Sequence, residues 1–101
     1  MPKLNFELPA PSSPDEAYLK IKNFLNSDNA FKKMDSKLST TFDESGKKCL
    51  LKGSQFSASL QVKPNADQCL VAIEVEIPFA LTLFKGKIKE EIEKAFKKVL
   101  T

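Results

Sequence analysis

The sequence predicts an α+β domain in which a curved antiparallel sheet packs on a long C-terminal helix, in the order β-α-β-β-β-β-α. Three observations predict it. Short runs alternate apolar with polar residues and are separated by polar turns. Beyond Pro78 the apolar period changes from two to about 3.6. Near the N-terminus, Ser12-Ser13-Pro14-Asp15-Glu16 reads as a helix start. Runs of strands flanked by helices favour a two-layer arrangement, and the 101 residues make one domain, 1–101.

The elements follow in order. Leu4, Phe6 and Leu8 alternate with Asn5 and Glu7, and Pro9 and Pro11 are expected to end this strand. Ser13 caps the first helix, Pro14 suits its first turn, and Glu16 completes a capping box. Ala17, Ile21, Phe24 and Leu25 share one face of it, with Tyr18 at the edge. Asn26-Ser27-Asp28-Asn29 stops it. Phe31 and Met34 are expected to plug the end of the core. Leu38, Thr40 and Phe42 alternate again. The turn Asp43-Glu44-Ser45-Gly46, a strand over Lys47–Lys52 and the turn Gly53-Ser54 follow. Phe56, Ala58, Leu60 and Val62 form the next strand, and Pro64-Asn65-Ala66-Asp67 a third turn. Cys69, Val71, Ile73, Val75 and Ile77 form the clearest strand, which Pro78 stops. Glu74 and Glu76 point the other way, with Leu70 and Ala72 on their side. From Phe79 to Leu100, a helical stripe of Leu81, Phe84, Ile88, Ile92, Ala95, Phe96 and Val99 is expected to face the sheet.

Composition narrows the chemistry. The net charge is +3 and every basic residue is lysine. Without arginine the chain lacks the planar fork that reads phosphates and guanines in pairs, so no nucleic-acid partner is expected. There is no histidine, which excludes histidine-based acid–base chemistry and any Cys–His nucleophile. Cys49 and Cys69 are too few for a structural zinc site, and no metal or cofactor is expected. They read as small buried hydrophobes, able to form a disulfide only if their strands are neighbours, a bond that a reducing cytoplasm disfavours. The chain holds no apolar run long enough to span a bilayer and its N-terminus no hydrophobic signal segment, so a cytoplasmic location is expected.

No catalytic residues are expected. Glu74 and Glu76 share a solvated face, the serines stand outside any nucleophile elbow, and the glycines form no phosphate loop. Binding is the better prospect. Lys85-Gly86-Lys87-Ile88-Lys89 gathers lysines near the start of the last helix, where they either face solvent or meet an anionic surface. Gly86 lies opposite the apolar stripe, which implies a bend or a close approach. Phe79 and Leu83 also lie off the stripe. Either Tyr18, Phe31 and Met34 bury Phe79, Leu81, Leu83 and Phe84, or these residues form an apolar patch for a partner, a second subunit or a hydrophobic surface. The candidate ligand or surface site is therefore Tyr18, Phe79, Leu81, Leu83, Phe84, Lys85, Gly86 and Lys87.

The run Val71-Ala72-Ile73-Glu74-Val75-Glu76-Ile77-Pro78-Phe79-Ala80-Leu81-Thr82-Leu83-Phe84-Lys85-Gly86-Lys87-Ile88, ahead of an amphipathic helix, resembles the polyhydroxyalkanoic acid system protein family. The resemblance covers nearly the whole chain in length and element order, and its specific part is Ile-Pro-Phe…Phe-Lys-Gly-Lys-Ile. It implies a bacterial accessory protein near polyester storage granules and brings no catalytic residues. A polyester synthase would need a cysteine elbow, which Lys48-Cys49-Leu50 is not. The architecture is also similar to a shortened helix-grip fold of the START type, which implies a carrier of a small hydrophobic ligand as the alternative. A homo-oligomeric interaction module is the third reading.

Overall fold

A computed structural model describes residues 3–27, 32, 35–54, 56–66 and 68–100. β1 (Lys3–Ala10) leads into α1 (Pro14–Asn26). Four strands follow: β2 (Ser39–Asp43), β3 (Lys48–Lys52), β4 (Ser57–Asn65) and β5 (Gln68–Glu76). A 3-10 segment over Phe79–Phe84 then passes into α2 (Lys85–Leu100). The α+β class and the order β-α-β-β-β-β-α are those expected.

The strands form one antiparallel sheet in the order β1-β5-β4-β3-β2. β2 to β5 make a meander, and β1 returns to pair with β5 through Leu4–Val75, Phe6–Ile73 and Leu8–Val71. Because side chains alternate along each strand, this register puts the apolar set on one face. Leu4, Leu8, Cys49, Leu51, Leu60, Val62, Cys69, Val71, Ile73 and Val75 are all buried there.

Both helices cover that face. α1 lies against β4, β5 and β2, while α2 runs beside α1 and against β1. Ala17, Tyr18, Ile21 and Leu25 of α1 join Ile92, Phe96 and Leu100 of α2 and the inward strand residues in one core. Phe24 meets Phe96 edge to face, with ring centroids 5.6 Å apart. Each such side chain contributes about 1.5–3 kcal/mol through its burial, before chain entropy offsets it.

Local chemistry sets the element ends. The Ser13 hydroxyl accepts from the Glu16 amide at 3.3 Å, with Pro14 in the first turn. Ser27 closes α1 as its amide donates to the carbonyls of Asn23 and Phe24. In the β2–β3 turn, the Asp43 carboxylate accepts from the Ser45 hydroxyl at 2.9 Å and the Gly46 amide at 3.2 Å. These bonds lower its pKa, the serine contributing most.

Several boundaries differ from expectation. β1 continues through Pro9 to Ala10. It is an edge strand, so the missing proline amide costs no ladder bond on the open side. Pro64 and Asn65 likewise belong to β4, where Pro64 pairs with Cys69 beyond the last β3 partner, Gln61. β3 begins at Lys48; Lys47 stands before it with φ 52°. The largest difference lies between β5 and α2. In place of one continuous helix from Phe79, the chain makes a 3-10 segment. A 3-10 helix turns through about 120° per residue, not the α-helical 100°, so Phe79 and Leu83 point about 120° to either side of Leu81. Leu81 stays half-buried, but Phe84, expected on the stripe, is 55% exposed. Beyond it the stripe settles on Ile92, Phe96 and Leu100, with Ile88, Ala95 and Val99 half-buried.

Candidate functional site

The conventional chemical groups are tied up. Lys3 bridges Glu74 at 3.3 Å and Glu76 at 3.6 Å on the outer face of the sheet. Hydrogen bonding to Glu74 is the main cause of a raised Lys3 pKa. Cys49 and Cys69 are free and buried. They stand on β3 and β5, which β4 separates. Two strand spacings, about 9.6 Å, exceed the reach of a disulfide, so the condition set for one is not met. Burial pushes the Cys49 thiol up to about 11 and raises that of Cys69. Both are held as protonated, poorly nucleophilic thiols. Among the described residues no group of three or more Cys, Asp or Glu side chains could hold a metal ion.

Tyr18 does not join the other expected site residues. It is buried in α1, and its hydroxyl has no hydrogen-bond partner among the described residues. Burial, with Cys49, Glu44 and Asp43 nearby, raises its pKa. Those neighbours belong to the β2–β3 turn and the start of β3. Phe79 leaves the opposite end of the sheet, where Glu76 pairs with Lys3 and Ser57.

At that opposite end stands an apolar patch. Phe79 is 74% exposed, Leu83 94% and Phe84 55%. Of the two outcomes considered for these residues, the structure shows exposure. Phe31 and Met34, the other residues expected to cover them, lie outside the described residues. The 3-10 geometry accounts for Phe79 and Leu83, which fall about 120° to either side of the half-buried Leu81, but not for Phe84, which eclipses Leu81. Pro78 opens the segment and the Thr82 hydroxyl donates to the Phe79 carbonyl at 2.7 Å. Lys85, Gly86 and Lys87 continue from it into α2. A Cβ built on Gly86 meets nothing within 4 Å, so neither a close approach nor a positive φ explains the glycine.

Two hollows lie elsewhere. Both sit on the outer face of the sheet, the larger of about 670 Å³ between Asn5, Glu7, Lys48, Leu50, Gln61 and Glu74. Between helices and sheet, Ile21, Leu25, Val71, Phe96 and Leu100 occupy the interior with almost no accessible surface. A feature that sequence reasoning missed is Asp35, which is buried and accepts from the Ser54 hydroxyl at 3.0 Å and the Lys37 amide at 3.1 Å. Gly53 is required beside it, because a Cβ there would stand 2.1 Å from Asp35 Oδ2. This anchors the β3–β4 turn.

An antiparallel sheet holding a C-terminal helix on one face is the helix-grip class, and solved structures share it. A di-domain ARO/CYC protein, BexL of the BE-7585A biosynthetic pathway, aligns with a TM-score of 0.69 and 8% identity, over 99% of this chain and 45% of that one. A Nitrosospira multiformis protein aligns at 0.68 and 10% identity, over 98% and 93%. Ara h 8.0201 aligns at 0.60 and 10% identity, over 97% and 94%. At such identities the likeness shows the fold alone. No curated protein matches the chain by sequence. Residues 23–100 match the family described as "Putative polyhydroxyalkanoic acid system protein" (PHA_gran_rgn), and the chain belongs to that family.

Proposed function

We propose that the protein is a non-catalytic accessory factor that attaches to polyester storage granules through Phe79, Leu83 and Phe84. The exposure of these three side chains carries the reading. Large exposed apolar side chains gathered in one six-residue segment mark an interaction site better than scattered ones do. Family membership supports the granule setting, and a cytoplasmic location goes with that reading. A non-catalytic role is supported by what occupies the reactive groups: Glu74 and Glu76 are held by Lys3, and both thiols are buried. No helix among the described residues is long and apolar enough to cross a membrane, so surface attachment fits better than insertion.

Carriage of a small hydrophobic ligand is supported by the fold likeness, but the filled interior around Ile21, Val71 and Phe96 weighs against it. The test is sedimentation of purified protein with isolated polyester granules. The wild-type chain is expected in the pellet and the Phe79→Ser/Leu83→Ser variant in the supernatant. Wild-type recovery no higher than that of an unrelated basic protein of similar size overturns the proposal. A dimer in light scattering that the same double substitution dissolves would redirect the patch to self-association.

A further inference from the structure

We infer that the patch and its neighbouring lysines form a contact surface for anionic phospholipid; this rests on the same patch as the reading above but assigns the chemistry of the surface it meets. The charge pattern is the first argument. From Ile77 to Lys89 the chain carries Lys85, Lys87 and Lys89 and no carboxylate. Some lysines elsewhere pair with acids, Lys3 with Glu74 and Glu76, Lys22 with Glu44 and Lys47 with Asp15; what sets Lys85 and Lys87 apart is their place beside Phe84 in a stretch without acid. Lys89 is likewise held, by Glu93 at 3.7 Å, and lies over the Phe6 ring. Lys85 and Lys87 form no ion pair among the described residues. They stand directly after the exposed Phe84, with Lys87 about one turn beyond Leu83.

Shape is the second argument. Leu83, at 94% exposure, stands clear of the fold. A rigid protein partner would have to provide the whole pocket for such a tip. A fluid lipid interface does so without prior shape, taking Phe79, Leu83 and Phe84 into its acyl boundary while headgroups meet the ammonium groups. A Cβ at Gly86, between the two lysines, would meet open space, and Lys87 is exposed while Lys85 is half-buried. Lysine, a compact point charge, suits diffuse attraction of this kind.

Co-sedimentation of the full chain with vesicles tests this. One set is pure phosphatidylcholine, the other contains about a third phosphatidylglycerol. Binding is expected to the anionic set and to fall severalfold on raising the salt to about 0.5 M. Lys85→Gln/Lys87→Gln is expected to weaken it at least tenfold, from about a fivefold loss per lysine. Phe79→Ser/Leu83→Ser is expected to abolish it; these side chains are solvent-exposed, and a matching thermal melt verifies that the fold is kept. Equal binding to both vesicle sets, or none to either, overturns the inference. Lipid-free polyester particles separate it from the granule reading. Capture by bare polymer with no vesicle binding leaves the granule role standing and sinks the lipid assignment. Vesicle binding without capture by polymer or native granules does the reverse.

Discussion

Cys49 shows how burial turns a side chain into a sensor of solution conditions. Its thiol, buried under α1, titrates near 11 in the fold, against about 8.5 for a free cysteine. The folded pKa lies above the unfolded one, so the neutral thiol is favoured by folding. Its stabilising contribution is complete below the unfolded value and is lost as pH rises through the folded one. Between pH 8 and pH 11 the chain should therefore lose roughly 2–3 kcal/mol through this group. Denaturant titrations at the two pH values would show a steeper alkaline loss for the wild type than for Cys49→Ala; equal losses would refute the assignment. Ala66 makes a second case. It adopts φ 56° at the β4–β5 turn, a left-handed conformation costly for a residue with a Cβ. Ala66→Gly should stabilise the fold by about 0.5–1 kcal/mol, measured as a higher urea midpoint with an unchanged slope. Neither residue is legible in this role from sequence. Residue type pointed to a buried Cys49 correctly, but its titration depends on its folded surroundings. Ala66 was visible as a turn residue, while its φ follows from the Asn65–Gln68 register. Asp35 lay hidden for a related reason, since its partner Ser54 and the glycine that makes room for it are far away in the chain.

At the scale of elements, strands were easier to read than the helix boundary. Alternation in Leu4–Leu8, Leu60–Val62 and Cys69–Ile77 needs only a pleat and one wet face, so the sequence carried it fully. Proline proved less decisive than its local chemistry suggests, because Pro9 and Pro64 occupy positions without a neighbour on the amide side, a fact set by sheet order. The Phe79–Leu100 stretch misled most. A stripe can be drawn through Leu81, Phe84 and Ile88 at helical spacing, yet the segment after Pro78 is a 3-10 helix in which Phe79, Leu83 and Phe84 are exposed. That error hid the patch, which periodicity had offered only as one of two outcomes. Gly86 belongs to this scale too. With open space where a side chain would go, it has no packing reason to be glycine. Gly86→Ala should raise stability by up to about 1 kcal/mol through helix propensity alone, seen in thermal melting. A destabilised variant would mean that the junction between the two helical forms needs the glycine after all.

For the whole molecule, the sheet order has consequences beyond packing. β2, β3, β4 and β5 pair with chain neighbours, but β1 pairs with β5 across the length of the domain, as in Lys3–Glu76. Closing so long a loop is entropically costly and gains little until the rest is in place. The meander should form first and the N-terminal strand dock last. In a φ-value analysis, truncations at Leu60 and Ile73 should then slow refolding, whereas those at Leu4 and Leu8 should mainly speed unfolding. High φ-values in β1 would contradict this order. During synthesis the same asymmetry means that β1 leaves the ribosome before its partner β5 and waits for it. Until then β1 is an unpaired, apolar strand, and this interval is when the nascent chain is most exposed to aggregation.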